Sequence, residues 1–276
     1  MMPRRPAGRH ALAVASGGLI GLLGGLIGLG GAEFRLPVLV GVFRLPTLQA
    51  IILNKAMSLG VVACALLFRM KAVPVEQLLT HGDVVVNLLL GSLAGAWLGA
   101  GQILRMSRMW LDRLVLSLLL GLAVLMLLEG FFGLAGAGNP FADHLVLRWG
   151  LGVVAGFVIG VVAAVLGVAG GELLIPTIVL LYGLDIKTAG SLSLAVSLPT
   201  MIVGFARYSS SDAFRVLKDE HRLAGYMLAG SLAGAALGAS LLGMVQSRWL
   251  STGLGAILLI SALKTFQHSS RKKSFV

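Results

Sequence analysis

Eight apolar runs fill this chain, at 11–32, 48–68, 84–104, 109–133, 150–169, 187–206, 223–246 and 249–266. About 20 apolar residues in a row cross roughly 30 Å of hydrocarbon as a helix. Backbone in lipid has no water to bond, so runs of this kind specify helices, and their number specifies a multi-pass protein. Charged residues make up only 12% of the chain, about half the share found in soluble domains. The sequence reads as an all-α integral membrane protein with about eight transmembrane helices. Two shorter apolar pieces, 34–43 and 173–182, follow the first and fifth runs. At about 15 Å of helix each, they are too short to span.

The chain also repeats itself. Shifted by 139 residues, Gly28 falls on Gly167, Gly31 on Gly170, Glu33 on Glu172, Pro37 on Pro176 and Ser58 on Ser197. "GSLAGAWLGA" (91–100) falls on "GSLAGAALGA" (230–239), and Trp110 on Trp249, without a gap. The halves are two homologous four-helix repeats, 11–133 and 150–267. A connecting loop at 134–149 joins them, and basic tails at 1–10 and 268–276 flank them. "MMPRRPAGRH" before an apolar run resembles a signal peptide. Yet Gly17 and Gly21 fall on Gly156 and Gly160 of an internal segment, so the first run is expected to be a permanent helix.

A net charge of +11 raises the question of nucleic acid. The basic residues cluster at the ends and between apolar runs, where cytoplasmic loops carry Lys and Arg facing anionic lipid. No nucleic-acid partner is expected. Arg4, Arg5 and Arg9 at one end and Arg271, Lys272 and Lys273 at the other place both termini in the cytoplasm. Eight full crossings would make the repeats parallel. If each short piece returns the chain across the membrane, each half makes an odd number of passes and the repeats are inverted. The inverted arrangement is preferred, because it gathers Arg105, Arg108, Arg113, Arg207, Arg215, Lys218 and Arg222 inside. Glycines recur at helical spacing (17, 21, 25; 91, 95, 99; 152, 156, 160; 230, 234, 238). Such rows let backbones approach closely, within the chain or across a homodimer seam.

"GLGGAEFRLP" (28–37) and "GVAGGELLIP" (167–176) interrupt the apolar pattern at matching places. Glycine costs about 1 kcal/mol inside a helix, and proline suits the first turn of a new one. Each stretch reads as the end of one helix, an irregular link and the start of a short second helix: a broken or re-entrant helix after the first span of each repeat. Irregular backbone at membrane depth persists only where protein or a wet cavity surrounds it, and paired interruptions in two halves mark a transporter's binding site. The new helices would begin near Glu33 and Glu172 with their amides turned to the break, which favours an anion. Two such ends converging would hold one anion between them.

The candidate substrate-binding residues are therefore Gly28, Gly30, Gly31, Glu33, Arg35, Asn54, Lys55 and Ser58 in the first repeat, and Gly167, Gly170, Gly171, Glu172, Ser193 and Ser197 in the second. An intramembrane charge costs about 2.5–3.5 kcal/mol unless paired or wetted. Lys55 nevertheless lies inside "AIILNKAMSLG", opposite Leu194 in the second half. It offers a cation to an anion or a partner to a glutamate. Arg35 is either a ligand or a snorkelling surface arginine. Glu33 and Glu172 would repel an anion when ionised. Protonated in low dielectric they can donate to it, which makes them candidates for proton coupling; the structural alternative is a carboxylate satisfying helix-start amides.

No catalytic motif is present. "GLGG" is an incomplete dinucleotide fingerprint with no strand before it, and H-E-x-x-H and G-x-S-x-G are missing. Cys64 stands alone, and His10, His81, His144, His221 and His268 show no ligand spacing to one another. Neither a cofactor nor a metal is expected, and no enzyme activity.

The two halves, each opening on a G-x-G-G-x-E-x-x-x-P-type signature, resemble the TauE/SafE sulfite exporter family. The second signature carries Ala169 where the first has Gly30. The resemblance covers nearly the whole chain. It implies export of sulfite or an organosulfonate, a small sulfur-containing anion, across the bacterial inner membrane. The alternative is a proton or cation transporter using the paired glutamates as ligands. Without a nucleotide-binding domain, the driving force is an ion gradient, the anion's own gradient or the membrane potential. An inside-negative potential favours anion exit by about 2.3 kcal/mol per charge per 100 mV.

Overall fold

The structure, a computed structural model, describes residues 6–27, 31–69, 80–132, 145–184 and 186–240, with positions 252, 256, 259, 260 and 263 of the last segment. All regular structure among the described residues is helical. The elements are α1 (Pro6–Ile27), α2 (Ala32–Gly41), α3 (Thr47–Arg69), α4 (Gly82–Arg105), α5 (Arg108–Phe132), α6 (Leu145–Leu166), α7 (Gly171–Tyr182) and α8 (Ile186–Tyr208). A 3-10 turn (Asp212–Arg215), the short α9 (Val216–Asp219) and α10 (His221–Ser240) follow. The long helices lie on the apolar runs to within a few residues. α6 begins earlier, at Leu145, inside the stretch read as the connecting loop, because "LVLRW" continues the helix past the apolar window; the loop's other residues lie outside the described set, as does most of the eighth run. Four described helices are long and apolar enough to cross a bilayer: Thr47–Cys64, Gly82–Arg105, Val146–Leu166 and Thr188–Tyr208.

The chain forms two compact units, and each takes helices from both halves of the sequence. The first holds α1, α2, the Thr47–Met57 part of α3, α5, α9 and α10; the second holds the rest of α3 with α4, α6, α7 and α8. In the first unit α1 and α10 pack along their lengths. A methyl on Gly17 would overlap the backbone of Met227, one on Gly21 that of Ser231, and one on Gly234 that of Gly18. The paired positions advance together, so the two helices run in the same direction.

The second unit repeats this pairing with α6 and α4. Methyls on Gly156 and Gly160 would overlap the backbones of Leu88 and Ser92, and methyls on Gly91 and Gly95 those of Val153 and Phe157. These contacts are the first unit's shifted by 139 residues, Gly17–Met227 becoming Gly156–Leu88. The small-residue rows thus close helix pairs within the chain by backbone approach. α8 also runs alongside α4: the hydroxyls of Ser92 and Thr200 lie 2.7 Å apart, and the Arg207 guanidinium lies 4.9 Å from the centre of the Trp97 ring.

α7 returns the chain between α6 and α8. It starts beside Ile159 and Ala163 of α6 and ends with Tyr182 against Gly152. Its apolar face, Leu174, Ile178 and Leu181, packs with Val84, Leu88 and Ile159 in front of Ala189, Leu192 and Val196 of α8.

Candidate functional site

Each short helix starts from a glycine in the left-handed region. Gly31 (φ 65°) is the N-cap of α2 and Gly170 (φ 82°) that of α7. L side chains avoid that conformation, which accounts for glycine at both places. The sequence suggested proline in the first turn; the helices begin sooner, putting Pro37 and Pro176 at the sixth position of each. A proline there has no N–H to give the carbonyl four residues back, which belongs to Glu33 in α2 and Glu172 in α7. After each short helix the chain again turns left-handed at matching positions, Arg44 (φ 57°) and Gly183 (φ 69°).

The break in the second unit is defined in full. Gly167 (φ 67°) closes α6, with its amide bonded to the Ala164 carbonyl and the Val168 amide to the Ala163 carbonyl, the Schellman pattern. The amides of Leu173 and Leu174 both donate to the Gly170 carbonyl. Gly171 and Glu172 precede the first residue that can reach an intrahelical acceptor, and a glycine N-cap supplies no side chain for them. Residues 167–171 are buried throughout, so this irregular backbone is surrounded by protein, as membrane depth requires.

Ser58 and Ser197 stand at this break. Leu194, Leu198 and Met201 of α8 and Val62 of α3 pack with Ala169. Ser197 lies among those three on the helix surface, and Ser58 is one turn before Val62. Both serines are about 1% exposed, and Ser197 Oγ has no hydrogen-bond partner among the described residues. Ser193 is also buried, but its hydroxyl donates to its own helix, to the Gly190 carbonyl at 2.9 Å.

In the first unit Gly28 and Gly30 lie outside the described residues. The other predicted residues of this unit lie on α2 and on the first half of α3. Glu33, Arg35, Asn54 and Lys55 are all 0% exposed. Burial rules out the snorkelling alternative for Arg35. The amide nitrogen of Asn54 donates to the carbonyl of Ala32, first residue of α2, at 3.0 Å, and ties α3 to the helix start with Lys55 next in sequence. Formally the buried charges are two cations and one carboxylate. The matching positions in the other half are Leu174, Leu194 and Glu172, so the cations belong to the first break alone.

Three features of the second unit escaped the sequence reading. Tyr208, fully buried, donates its hydroxyl to the Ala164 carbonyl at 2.6 Å. Ser92 and Thr200 pair across α4 and α8. Asn87, buried in the apolar stretch "VVVNLLL", donates to the Tyr182 hydroxyl at 2.8 Å. An amide inside an apolar run was the available signal for the last. Among the described residues no three His, Cys, Asp or Glu side chains gather where a metal ion could sit.

Compared with known protein families, the chain matches the one described as sulfite exporter TauE/SafE over residues 12–265. It belongs to that family. The match takes in both glycine breaks and every described long helix except the first turn and a half of α1. TauE/SafE proteins are membrane transporters, and helices apolar enough to cross a bilayer fit this chain to that role. No curated protein and no solved structure matches the chain.

Proposed function

We propose that this TauE/SafE protein is a secondary transporter that exports a small sulfur oxyanion, sulfite or an organosulfonate, across the bacterial inner membrane. The glycine breaks before α2 and α7 are its substrate-binding segments, in a fold of about eight spans in two inverted repeats with both termini cytoplasmic. The observation that carries this reading is the full burial of Glu33 and Arg35 on α2 and of Lys55 on α3, next in sequence to Asn54, whose amide reaches the α2 start. Two cations buried in the same unit as one carboxylate favour an anionic solute over a cationic one. First-turn amides at two glycine N-caps add donors of the same sign preference. The Ser58 and Ser197 hydroxyls, both buried near the second break, serve as neutral ligands. Glu33 and Glu172 hold a proton when the anion is bound and release it as the anion leaves.

The test is sulfite efflux from proteoliposomes of the full chain, with and without a pH gradient, beside sulfoacetate, thiosulfate and sulfate. Selective efflux of one sulfur anion that Lys55→Ala and Glu33→Gln reduce upholds the reading. Cation or proton flux with no anion dependence would replace it with a cation transporter that uses the glutamates as ligands.

A further inference from the structure

A second polar cluster lies in the same unit as the α7 break, at the opposite end of α7. Asn87, on α4, is fully buried; its Nδ2 donates to Tyr182 Oη, and its Oδ1 has no partner among the described residues. Tyr182 is the last residue of α7, and the left-handed Gly183 ends the helix behind it. The Arg148 guanidinium lies over the Tyr182 ring, 5.8 Å from its centre, and its Nε is buried with no acceptor among the described residues. Gly152, one turn after Arg148 on α6, leaves the room: a methyl there would collide with both Tyr182 Oη and Asn87 Nδ2. Buried polar atoms without partners are rare and call for water or a ligand. Tyr182 Oη accepts from the amide and keeps its own proton to donate, and Arg148 Nε is a second donor, carried by a cation.

The repeat shows what this arginine ordinarily holds. Arg148 falls on Arg9 of the first half, and Arg9 Nη2 bonds Glu220 Oε1 at 2.8 Å. Glu220 falls on His81, so the second unit has no carboxylate at that position; Asn87 and Tyr182 fall on Tyr226 and Phe43. Asp83, one turn before Asn87, is exposed and makes no ion pair with Arg148. Where one half supplies a carboxylate to its arginine, the other has a guanidinium, an amide and a phenol packed together with no carboxylate at the matching position. We propose that Arg148, Tyr182 and Asn87 form a second oxyanion site, distinct from the glycine break, for a small oxyanion: the transported solute, or the phosphate of a lipid headgroup. Only the identity of the free solute rests on the transport reading.

The test uses the full chain in vesicles of neutral phosphatidylcholine, with half of them supplemented with phosphatidylglycerol. For a free anion, Arg148→Gln raises the half-saturating sulfite concentration about tenfold, the worth of one charge-assisted hydrogen bond, with the maximal rate within about twofold. Tyr182→Phe raises it about threefold, as loss of a neutral hydrogen bond predicts. Arg9→Gln, which breaks the internal ion pair, leaves it unchanged. For a headgroup phosphate, half-saturation stays put; instead the thermal protection given by phosphatidylglycerol disappears in Arg148→Gln and persists in Arg9→Gln. Arg148→Lys keeps the charge, guards against misfolding and falls between parent and Arg148→Gln in whichever readout responds. Absence of sulfite flux in the parent sinks the transport reading and leaves equilibrium sulfite binding in detergent and the lipid arm to decide this site. If neither half-saturation, sulfite binding nor lipid protection responds to Arg148→Gln or Arg148→Lys, the site does not exist.

Discussion

The Tyr208 hydroxyl donates to the Ala164 carbonyl oxygen at 2.6 Å, joining the last residue of α8 to the last turn of α6. That same carbonyl accepts the amide of Gly167, where α6 stops and the break begins. A helix's final carbonyls have no partner within the helix, and in lipid each must find one. Tyr208 is thus a positioning residue for the α7 break, acting through the end of α6. Its counterpart in the first half is Arg69.

Tyr208→Phe is expected to keep the packing and lose about 1 kcal/mol, the worth of a typical hydrogen bond. Tyr208→Ala adds a cavity and costs about 3–5 kcal/mol, in the range for large aromatic truncations. Thermal unfolding of the full chain in detergent, followed by size-exclusion chromatography, reads both. Equal losses in the two variants would mean that the hydroxyl, not the ring, carries the stabilisation.

The glycine seams yield a sharper contrast. Gly21, Gly91, Gly156 and Gly230 leave no room for a methyl, because the facing backbone occupies it, while nothing lies within 4 Å of a methyl on Gly121 or Gly225. Alanine at any of the first four must separate two helices over their whole contact, and the folded yield is expected to collapse. Alanine at Gly121 or Gly225 is expected to be neutral or slightly stabilising, by up to about 1 kcal/mol. Monodisperse protein recovered from membranes measures the difference. Tolerance at Gly156 would mean that α4 and α6 do not meet as described.

The helices were legible because lipid permits few alternatives: an apolar run of bilayer length has only the helix by which to bond its own backbone. The breaks were legible because the repeat states them twice, and the matched left-handed residues Gly31 and Gly170, then Arg44 and Gly183, show the repeat acting at the level of φ. The glycine rows said that a backbone approaches closely but not whose. Nothing in Gly17 or Gly21 names Met227 or Ser231, since the partner helix lies some 200 residues away and in the other half. The prolines suggested first-turn positions, whereas the glycine N-caps start the helices sooner. Arg35 carried two opposite possibilities, and only burial separates them. Tyr208 was invisible because a tyrosine at the end of an apolar run ordinarily reads as an interfacial residue.

Asn54 gives a test of the first break that leaves its charges alone. Its amide bond to the Ala32 carbonyl pins the start of α2 to α3. Asn54→Leu is expected to cost about 1–3 kcal/mol, because the bond is lost and its buried partner must find another donor. In transport, the variant is expected to raise the half-saturating anion concentration more than it lowers the maximal rate, since the helix start is loosened and no ligand charge is removed. The matching change in the second half, Ser193→Ala, removes only a bond within one helix and is expected to leave transport near the parent. Equal effects at the two positions would argue against a special role for the α2 start.

The buried charges separate coupling from binding. Arg35 and Lys55 are the buried cations of the first unit among the described residues, and Glu33 is its buried carboxylate. Lys55→Met removes one cation without a large change in shape. With that charge gone, anion affinity is expected to fall by at least about tenfold, the equivalent of 1.4 kcal/mol. Glu33→Gln removes the carboxylate and its proton together. If the carboxyl carries the coupled proton, Glu33→Gln abolishes the stimulation of efflux by a pH gradient while equilibrium binding of sulfite persists or tightens. If its role is to satisfy helix-start amides, the pH response survives and thermal stability falls instead. Radiolabelled sulfite binding measured beside gradient-driven efflux distinguishes these outcomes, and the double variant Lys55→Met with Glu33→Gln decides whether the two side chains act as a pair. Effects that add would place them in independent roles, and a double variant less impaired than Lys55→Met alone would show that the charge balance governs binding.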